Sequence, residues 1–150
     1  MSEQSPKKVM FICTGNTCRS PMAEVIFKSF LKKQNLHNDF KASSAGLCAQ
    51  KEQIAQNSKI ALEKLGYTPP KSRLSKQLTK NMLNNADIVF TMTDRQKAQI
   101  QNYNKNVYSM SEVLGYEIND PYGKTPQDYF NCAIDIEKAV KKILNILTKQ

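Results

Sequence analysis

Short apolar runs alternate along the chain with longer segments in which apolar residues recur every three or four positions. The short runs are rich in β-branched and aromatic side chains, which is typical of buried strands. The longer segments have the spacing of helices with one apolar face. The pattern predicts strands over 8–12, 40–44, 88–92 and 106–109, and helices over 21–33, 54–65, 79–85, 93–102 and 125–147.

Strands that alternate with helices predict an α/β fold, in which a doubly wound parallel sheet carries helices on both faces. The chain has 150 residues, the usual length of one domain, and contains no repeat, low-complexity tract or linker. We therefore expect a single domain over 1–150, with 1–7 as a flexible N-terminal tail. Ligands of such sheets bind beyond the carboxyl ends of the strands, so we expect a site after the first strand.

Composition and charge narrow the possible functions. No stretch approaches the ~20 apolar residues that span a bilayer, and the polar residues 1–8 contain no signal-peptide core, so we expect a cytoplasmic protein without a membrane partner. The net charge is +9, but Lys and Arg are spread along the chain without interleaved aromatic residues. This favours a basic surface for anionic substrates over nucleic-acid binding.

The four cysteines have neither the spacing of a disulfide framework nor that of a zinc site. They are Cys13, Cys18, Cys48 and Cys132. We expect reduced thiols and no bound metal.

The segment 13–20, Cys-Thr-Gly-Asn-Thr-Cys-Arg-Ser, carries the strongest chemical signal in the chain. It lies between the first predicted strand and a predicted helix that begins at Pro21. The free N–H groups and the dipole of a helix N-terminus attract phosphate-like anions. Gly15 and Asn16 suit a tight turn with positive φ, so the segment predicts an anion-binding loop.

Three side chains of this loop predict its chemistry. Arg19 can hold two phosphoryl oxygens with one guanidinium, which a lysine cannot do. The positive field of the loop favours an ionised Cys13, whose thiolate would lie under the bound phosphorus and attack it. Ser20 can donate a hydrogen bond to the Cys13 sulfur and assist its departure.

Residues 9–24 resemble the signature of the low-molecular-weight protein tyrosine phosphatases. The segments 43–46, 77–92 and 120–123 agree with that family in order and spacing, and the resemblance extends over 8–147. It implies a three-layer fold with four parallel strands. It also implies hydrolysis of phosphorylated proteins through a phosphocysteine intermediate, without a cofactor, by a monomer or weak dimer.

The resemblance implies a role for each matching residue. Cys13 is the expected nucleophile, and Arg19 binds phosphate and stabilises the transition state. Asp120 is the expected general acid, and it then acts as the base toward water. The phosphate-binding loop comprises Thr14, Gly15, Asn16, Thr17, Cys18 and Ser20. Three further residues are expected to support the loop asparagine or to form the pocket wall: Ser44, Leu47 and Tyr122.

The chain departs from the family pattern at three positions. Many members have a histidine that supports the loop asparagine, and Arg73 stands in its place, so the sequence leaves open what holds Asn16. Lys124 stands where bacterial relatives often have a second glycine. Thr17 replaces the bulky aliphatic residue of typical tyrosine-specific members.

The threonine at position 17 bears on the substrate. A bacterial subgroup, the protein arginine phosphatases, is similar over the full string 13–20, and its threonine is linked to phosphoarginine preference. Thr17 therefore favours phosphoarginine over phosphotyrosine. A cysteine-dependent protein phosphatase is expected with either substrate.

Cys18 suggests redox sensitivity, because it lies in the loop beside a reactive thiol. Oxidised Cys13 would be trapped as a Cys13–Cys18 disulfide, which is reversible and protects against further oxidation. The alternative is that Cys18 only fills a small buried space.

Three other functions compete with a phosphatase. A thioredoxin-coupled arsenate reductase has a similar loop but needs further cysteines after the third strand, and 91–117 contains none. A non-catalytic anion-binding or redox sensor would be expected to lack the nucleophile or the acid, and both are present. Nucleic-acid binding rests on composition alone.

Overall fold

The centre of the protein is a four-stranded sheet whose strands are all parallel. The computed structural model describes residues 5–149, with β1 (Lys7–Cys13), β2 (Phe40–Gly46), β3 (Ile88–Thr91) and β4 (Val107–Ser109). The strands lie in the order β2–β1–β3–β4. Phe11 of β1 pairs with Ser44 of β2 on one side and with Phe90 of β3 on the other. β1 is therefore an inner strand, and its side chains from Val9 onward are buried.

Helices pack on both faces of this sheet. They are α1 (Arg19–Lys33), α2 (Gln56–Lys64), α3 (Lys80–Asn85), α4 (Asp94–Ile100), α5 (Met110–Leu114) and α6 (Pro126–Thr148). On one face Phe11 packs in a cluster with Phe27 of α1 and Ile136 of α6. On the other face Met10 and Ile12 pack with residues of α3 and α4. The three-layer doubly wound fold predicted from the sequence is confirmed.

Hydroxyl side chains fix where four of these helices begin. Thr79, Thr93, Ser109 and Thr125 each accept a hydrogen bond from a backbone N–H in the first turn of α3, α4, α5 and α6 respectively. α5 was not predicted, because a helix of five residues is too short to show a helical period.

Two boundaries next to the predicted site differ from the sequence prediction. α1 begins at Arg19, and Pro21 lies within its first turn, where a missing N–H leaves no helical hydrogen bond unmade. β2 continues to Gly46, because its pairing with β1 extends to Cys13. Both additions bring regular structure up to the edges of the loop.

The N-terminal tail predicted over 1–7 is wrong at its end, because Lys7 is the first residue of β1 and pairs with Phe40. Residues 1–4 of that tail lie outside the described residues. Within residues 5–149, no helix is long and apolar enough to cross a membrane.

Candidate active site

The loop between β1 and α1 lies against the end of β2. The backbone N–H groups of Leu47 and Cys48 donate to the carbonyl oxygens of Cys13 and Thr14 over 3.0 and 2.9 Å. β2 approaches so closely that a Cβ atom on Gly46 would lie 2.6 Å from the Thr14 carbonyl oxygen. The absence of a side chain at Gly46 is therefore what lets the loop fold back onto the sheet.

The turn in this loop depends on Asn16 and not on Gly15. Asn16 has a φ of 57°, in the left-handed region that asparagine tolerates better than most residues. Gly15 is not among the residues with positive φ, so the role that the sequence suggested for its flexibility is wrong. The nearest atom to a Cβ placed on Gly15 would be Thr17 Oγ1, at 3.8 Å.

The side-chain amide of Asn16 uses its full hydrogen-bonding capacity. Its Nδ2 donates to Ser20 Oγ at 2.7 Å and to Ser44 Oγ at 3.0 Å. Its Oδ1 accepts from Arg73 Nη2 at 2.8 Å and from the Lys76 backbone N–H at 2.9 Å. An amide has two donor hydrogens and two acceptor lone pairs, so all four are used. Asn16 is fully buried, and this network fixes its orientation.

Arg73 occupies the place that the sequence left open. Besides Asn16 Oδ1, it donates to the Asn16 carbonyl oxygen at 3.2 Å and to Ser44 Oγ at 2.7 Å. Its Nη2 lies 3.7 Å from a carboxylate oxygen of Glu24, which also accepts from Ser44 Oγ at 2.6 Å. Burial lowers the pKa of the Arg73 guanidinium, and Glu24 acts against that shift. Arg73 remains a cation, because a guanidinium does not lose its proton in a protein.

Two donors contact the sulfur of Cys13. The Asn16 backbone N–H lies 3.2 Å from Sγ, and the Ser20 hydroxyl oxygen lies 2.9 Å from it. Ser20 Oγ already accepts from Asn16 Nδ2, so its own hydrogen is available to the sulfur. The orientation of Asn16 thus determines both contacts.

Arg19 lies at the N-terminus of α1 and is almost wholly buried. Its Nη1 donates to the Ile118 carbonyl oxygen at 2.9 Å, and its Nη2 lies 3.6 Å from Asp120 Oδ2. Its Nε is buried without a hydrogen-bond partner in the part of the chain that the structure describes. Leaving a buried donor unsatisfied costs roughly 1–3 kcal/mol. A ligand oxygen in the loop would remove that penalty.

The N-terminus of α1 is suited to an anion. Its cap residue, Cys18, makes no side-chain hydrogen bond to the first turn, and that turn contains no acidic residue. The positive end of the helix dipole is therefore not neutralised by a carboxylate of the first turn.

A cleft of about 250 Å³ opens above the loop. Cys13 lies in its lining, and so do Asp120 and Tyr122, which are distant from the loop in the sequence. Asp120 is half exposed, and its Oδ1 accepts from the Tyr122 backbone N–H at 3.1 Å. The lining residues are Cys13, Thr14, Gly15, Asn16, Thr17, Cys18, Arg19, Cys48, Gln50, Glu52, Asp120 and Tyr122. The cleft therefore joins a thiol, a guanidinium and a carboxyl group, which is the set needed for transfer of a phosphoryl group.

Leu47 does not belong to this lining, contrary to the sequence prediction. Its side chain packs with the cluster that contains Ala45 and Ile12. β2 ends at Gly46, and the turn that follows places Leu47 against this cluster. Cys48 is the residue that lines the cleft at this point.

Sequence reasoning also missed three contacts of the site. Gln50 and Glu52 line the cleft, and Gln96 Nε2 donates to Thr14 Oγ1 at 3.1 Å. None of these residues lies in the string 13–20 or in a recognisable motif. The only available signal for the first two was their position shortly after the end of β2, at the same edge of the sheet as the loop.

Cys18 is buried beside the hydroxyl of Tyr129, with 3.9 Å between Sγ and the oxygen. Burial raises the pKa of the Cys18 thiol, and burial together with Cys18 raises the pKa of Tyr129 to about 12. Both groups are therefore neutral near pH 7. Cys13 and Cys18 are free thiols in the structure. Among residues 5–149, no group of three His, Cys, Asp or Glu side chains is placed to hold a metal ion.

Comparison with known proteins assigns the family. The model of the family described as low molecular weight phosphotyrosine protein phosphatase matches residues 8–150. The chain belongs to this family. The predicted family and the predicted class of enzyme, a cysteine-dependent protein phosphatase, are confirmed.

Relatives of this phosphatase include enzymes named for two substrates. It is 32% identical over 152 residues to the protein-arginine-phosphatase of Bacillus subtilis, covering 94% of this chain and 97% of the relative. It is 33% identical over 127 residues to the low molecular weight protein-tyrosine-phosphatase PtpB of Staphylococcus haemolyticus, covering 81% of this chain and 86% of the relative.

Solved structures of similar phosphatases share the fold. A crystal structure of a YwlE mutant from Bacillus subtilis matches with a TM-score of 0.86 and 29% identity, covering 95% of this chain and 99% of the other. A second structure, a cysteine-to-serine mutant of the YwlE arginine phosphatase, matches with a TM-score of 0.86 and 29% identity, covering 95% and 97%. In that mutant the active-site serine is phosphorylated.

We expect Gly46→Ala to destabilise the phosphatase, because the new methyl group would overlap the Thr14 carbonyl. Overpacking of this kind costs about 1–3 kcal/mol, and the loop would have to move to relieve it. Urea unfolding monitored by circular dichroism measures the change. Gly15→Ala is the matched substitution, since nothing lies closer than 3.8 Å to its added carbon. Equal stability losses for the two variants would contradict this account of the loop.

Arg73→Lys should weaken the support of Asn16, because an ammonium group cannot donate in the fork that reaches Asn16 and Ser44 together. We expect a loss of about 1–3 kcal/mol in the free energy of unfolding and a lower kcat for an aryl phosphate. Arg95→Lys makes the same change at an exposed position of α4 and should leave both quantities unchanged. Wild-type values for Arg73→Lys would show that Asn16 is held without the guanidinium.

Proposed function

We propose that this phosphatase hydrolyses phosphoarginine in proteins in preference to phosphotyrosine, through a phosphocysteine intermediate on Cys13. The observation that carries the preference is Thr17, a small residue with a hydroxyl group. It belongs to the phosphate-binding loop and lines the cleft. Similarity to the Bacillus subtilis protein-arginine-phosphatase over nearly the whole chain supports the same substrate. Phosphotyrosine is the second candidate, supported by the similarity to PtpB.

The first chemical step transfers the phosphoryl group to sulfur. The Cys13 thiolate attacks phosphorus, while Arg19 and the N–H groups at the start of α1 bind the phosphoryl oxygens. The bond from phosphorus to the leaving nitrogen or oxygen breaks, and Asp120 gives that atom its proton. The geometry supports these roles, because Cys13, Arg19 and Asp120 all line one cleft and Asp120 lies 3.6 Å from Arg19.

The second step releases inorganic phosphate. Asp120, now ionised, takes a proton from a water molecule that attacks the phosphocysteine. The sulfur–phosphorus bond breaks and the electron pair returns to Cys13. The Ser20 hydroxyl, 2.9 Å from that sulfur, stabilises the returning thiolate with a hydrogen bond. The Asn16 backbone N–H gives a second one.

Phosphorylated proteins are the partners that this activity requires. The remaining expectations on assembly and location, a monomer or weak dimer in the cytoplasm, are part of the same proposal. They rest on the resemblance and on the sequence alone.

The proposal is tested with matched phosphoarginine and phosphotyrosine peptides and reduced protein. We expect a higher kcat/KM for phosphoarginine than for phosphotyrosine. Thr17→Ile should shift the preference toward phosphotyrosine, because the larger side chain narrows the cleft. Phosphate release measures both. A preference of the wild type for phosphotyrosine would reject the arginine assignment.

Two further variants test the mechanism with the same peptides. Cys13→Ser should lose turnover and accumulate one phosphoryl group on residue 13, visible by mass spectrometry of the peptide that contains it. Asp120→Asn should lower kcat by about 10²–10⁴-fold, the usual contribution of a general acid. Full activity of Cys13→Ser would remove Cys13 from the nucleophilic role.

We propose in addition that peroxide inactivates the enzyme reversibly through a Cys13–Cys18 disulfide. The two thiols lie in one loop and line one cleft. Because burial raises the pKa of Cys18, its attack on oxidised Cys13 should accelerate as pH rises.

Peptide mapping after peroxide should find the Cys13–Cys18 crosslink, and a thiol reductant should restore activity. Cys18→Ser should recover less activity than the wild type, because without a resolving thiol Cys13 is oxidised past the reversible sulfenic acid. Equal recovery of that variant and the wild type would rule out Cys18 as the resolving thiol.

A further inference from the structure

Glu52 is an exposed acidic residue in the lining of the cleft that contains Cys13. It lies in the lining together with the phosphate-binding loop. Its carboxylate makes no hydrogen bond and no ion pair with any of residues 5–149, whereas Asp120, the other carboxylate of the lining, lies 3.6 Å from Arg19. A negative charge here repels an incoming phosphoryl dianion. A positive charge on the substrate would offset this repulsion.

The backbone holds Glu52 firmly at this place. Its N–H donates to Ser75 Oγ at 2.9 Å, and its carbonyl accepts from the Ser75 N–H at 2.7 Å. The next residue, Gln53, forms a β-bridge with Leu74. Three residues after Glu52, the Ala55 N–H donates to the Thr17 carbonyl oxygen at 3.0 Å. Glu52 is therefore tied both to the segment that contains Arg73 and to the loop itself.

The two candidate substrates differ in the charge next to phosphorus. Phosphoarginine carries its phosphoryl group on a guanidinium, which is a planar cation with further N–H donors. Phosphotyrosine carries it on a ring without charge. A carboxylate within reach of the leaving group would accept hydrogen bonds from the guanidinium and would gain none from the ring. Gln50, which also lines the cleft, carries an uncharged amide and does not compete for a cation as a carboxylate would.

We propose that Glu52 forms a cation-binding subsite that receives the guanidinium of phosphoarginine and so selects it over phosphotyrosine. The proposal rests on the proposed phosphatase function and adds a second specificity determinant to Thr17. Thr17 acts by size and by its hydroxyl, whereas Glu52 acts by charge. The two contributions are therefore separable by substitution.

The test uses free phosphoarginine and free phosphotyrosine, so that no neighbouring basic residue of a peptide can contact Glu52. We expect Glu52→Gln to lower kcat/KM for phosphoarginine about fivefold, the upper range for a solvent-accessible ion pair. The value for phosphotyrosine should stay the same or rise, because a repulsion is removed. Glu52→Asp, which keeps the charge, should retain most of the preference for phosphoarginine. Glu52→Lys, which inverts the charge, should lower that preference more than Glu52→Gln does.

Glu63→Gln is the matched control. It makes the same change of charge on the exposed side of α2, outside the cleft lining, and should leave the ratio of the two kcat/KM values unchanged. An equal change for both substrates in Glu52→Gln, or none, would overturn the role of Glu52 while the phosphatase assignment stands. A wild type that does not favour phosphoarginine would overturn the substrate proposal and the subsite with it.

Ionic strength provides an independent readout. Salt screens charge pairs that solvent can reach, so the preference of the wild type for phosphoarginine should fall as salt rises. The preference of Glu52→Gln should depend on salt less steeply. Parallel salt dependence in the two proteins would count against a charge-based subsite. Circular dichroism of each variant confirms that the fold is retained before rates are compared.

Discussion

The orientation of one buried amide, that of Asn16, sets the geometry on which the rest of the site depends. Its backbone has positive φ, and its side chain uses all four hydrogen-bonding positions. Through these bonds it connects the loop to β2, to α1 and to the segment around Arg73. The donors that reach the Cys13 sulfur follow from the same orientation. A buried network is stable only when every member is satisfied, which holds for this amide.

The charged residues that support the loop differ from the charged residue that faces its ligand. Arg73 and Glu24 are both largely buried and do not line the cleft, and Ser44 links them by short hydrogen bonds. Removing one partner of such a buried pair leaves an uncompensated charge, so the two residues depend on each other. The phosphate-binding side has the opposite design, with the Arg19 Nε donor left unpaired. The unpaired donor suits an anionic ligand, whereas the buried network around Asn16 needs none.

The sequence could predict what is encoded locally. The string 13–20 and the strands depend on near neighbours, and the structure shows them close to the predicted bounds. The prediction that Leu47 forms the pocket wall was wrong, because the direction of its side chain depends on where β2 ends. The prediction of a positive φ at Gly15 was wrong, because the neighbouring Asn16 takes the left-handed conformation instead. The contacts of Arg73 join positions 57 residues apart, and no local pattern reveals such a pairing.

Cys48 has a practical consequence for work on this enzyme. It is an exposed free thiol at the same cleft that contains Cys13. An alkylating reagent that modifies Cys48 would obstruct entry to the cleft. It would abolish turnover without reacting with the Cys13 sulfur, the atom that attacks phosphorus. Bound phosphate would shield both sulfurs from such a reagent. Chemical inactivation, even with protection by a ligand, therefore identifies the nucleophile only in protein from which the Cys48 thiol has been removed.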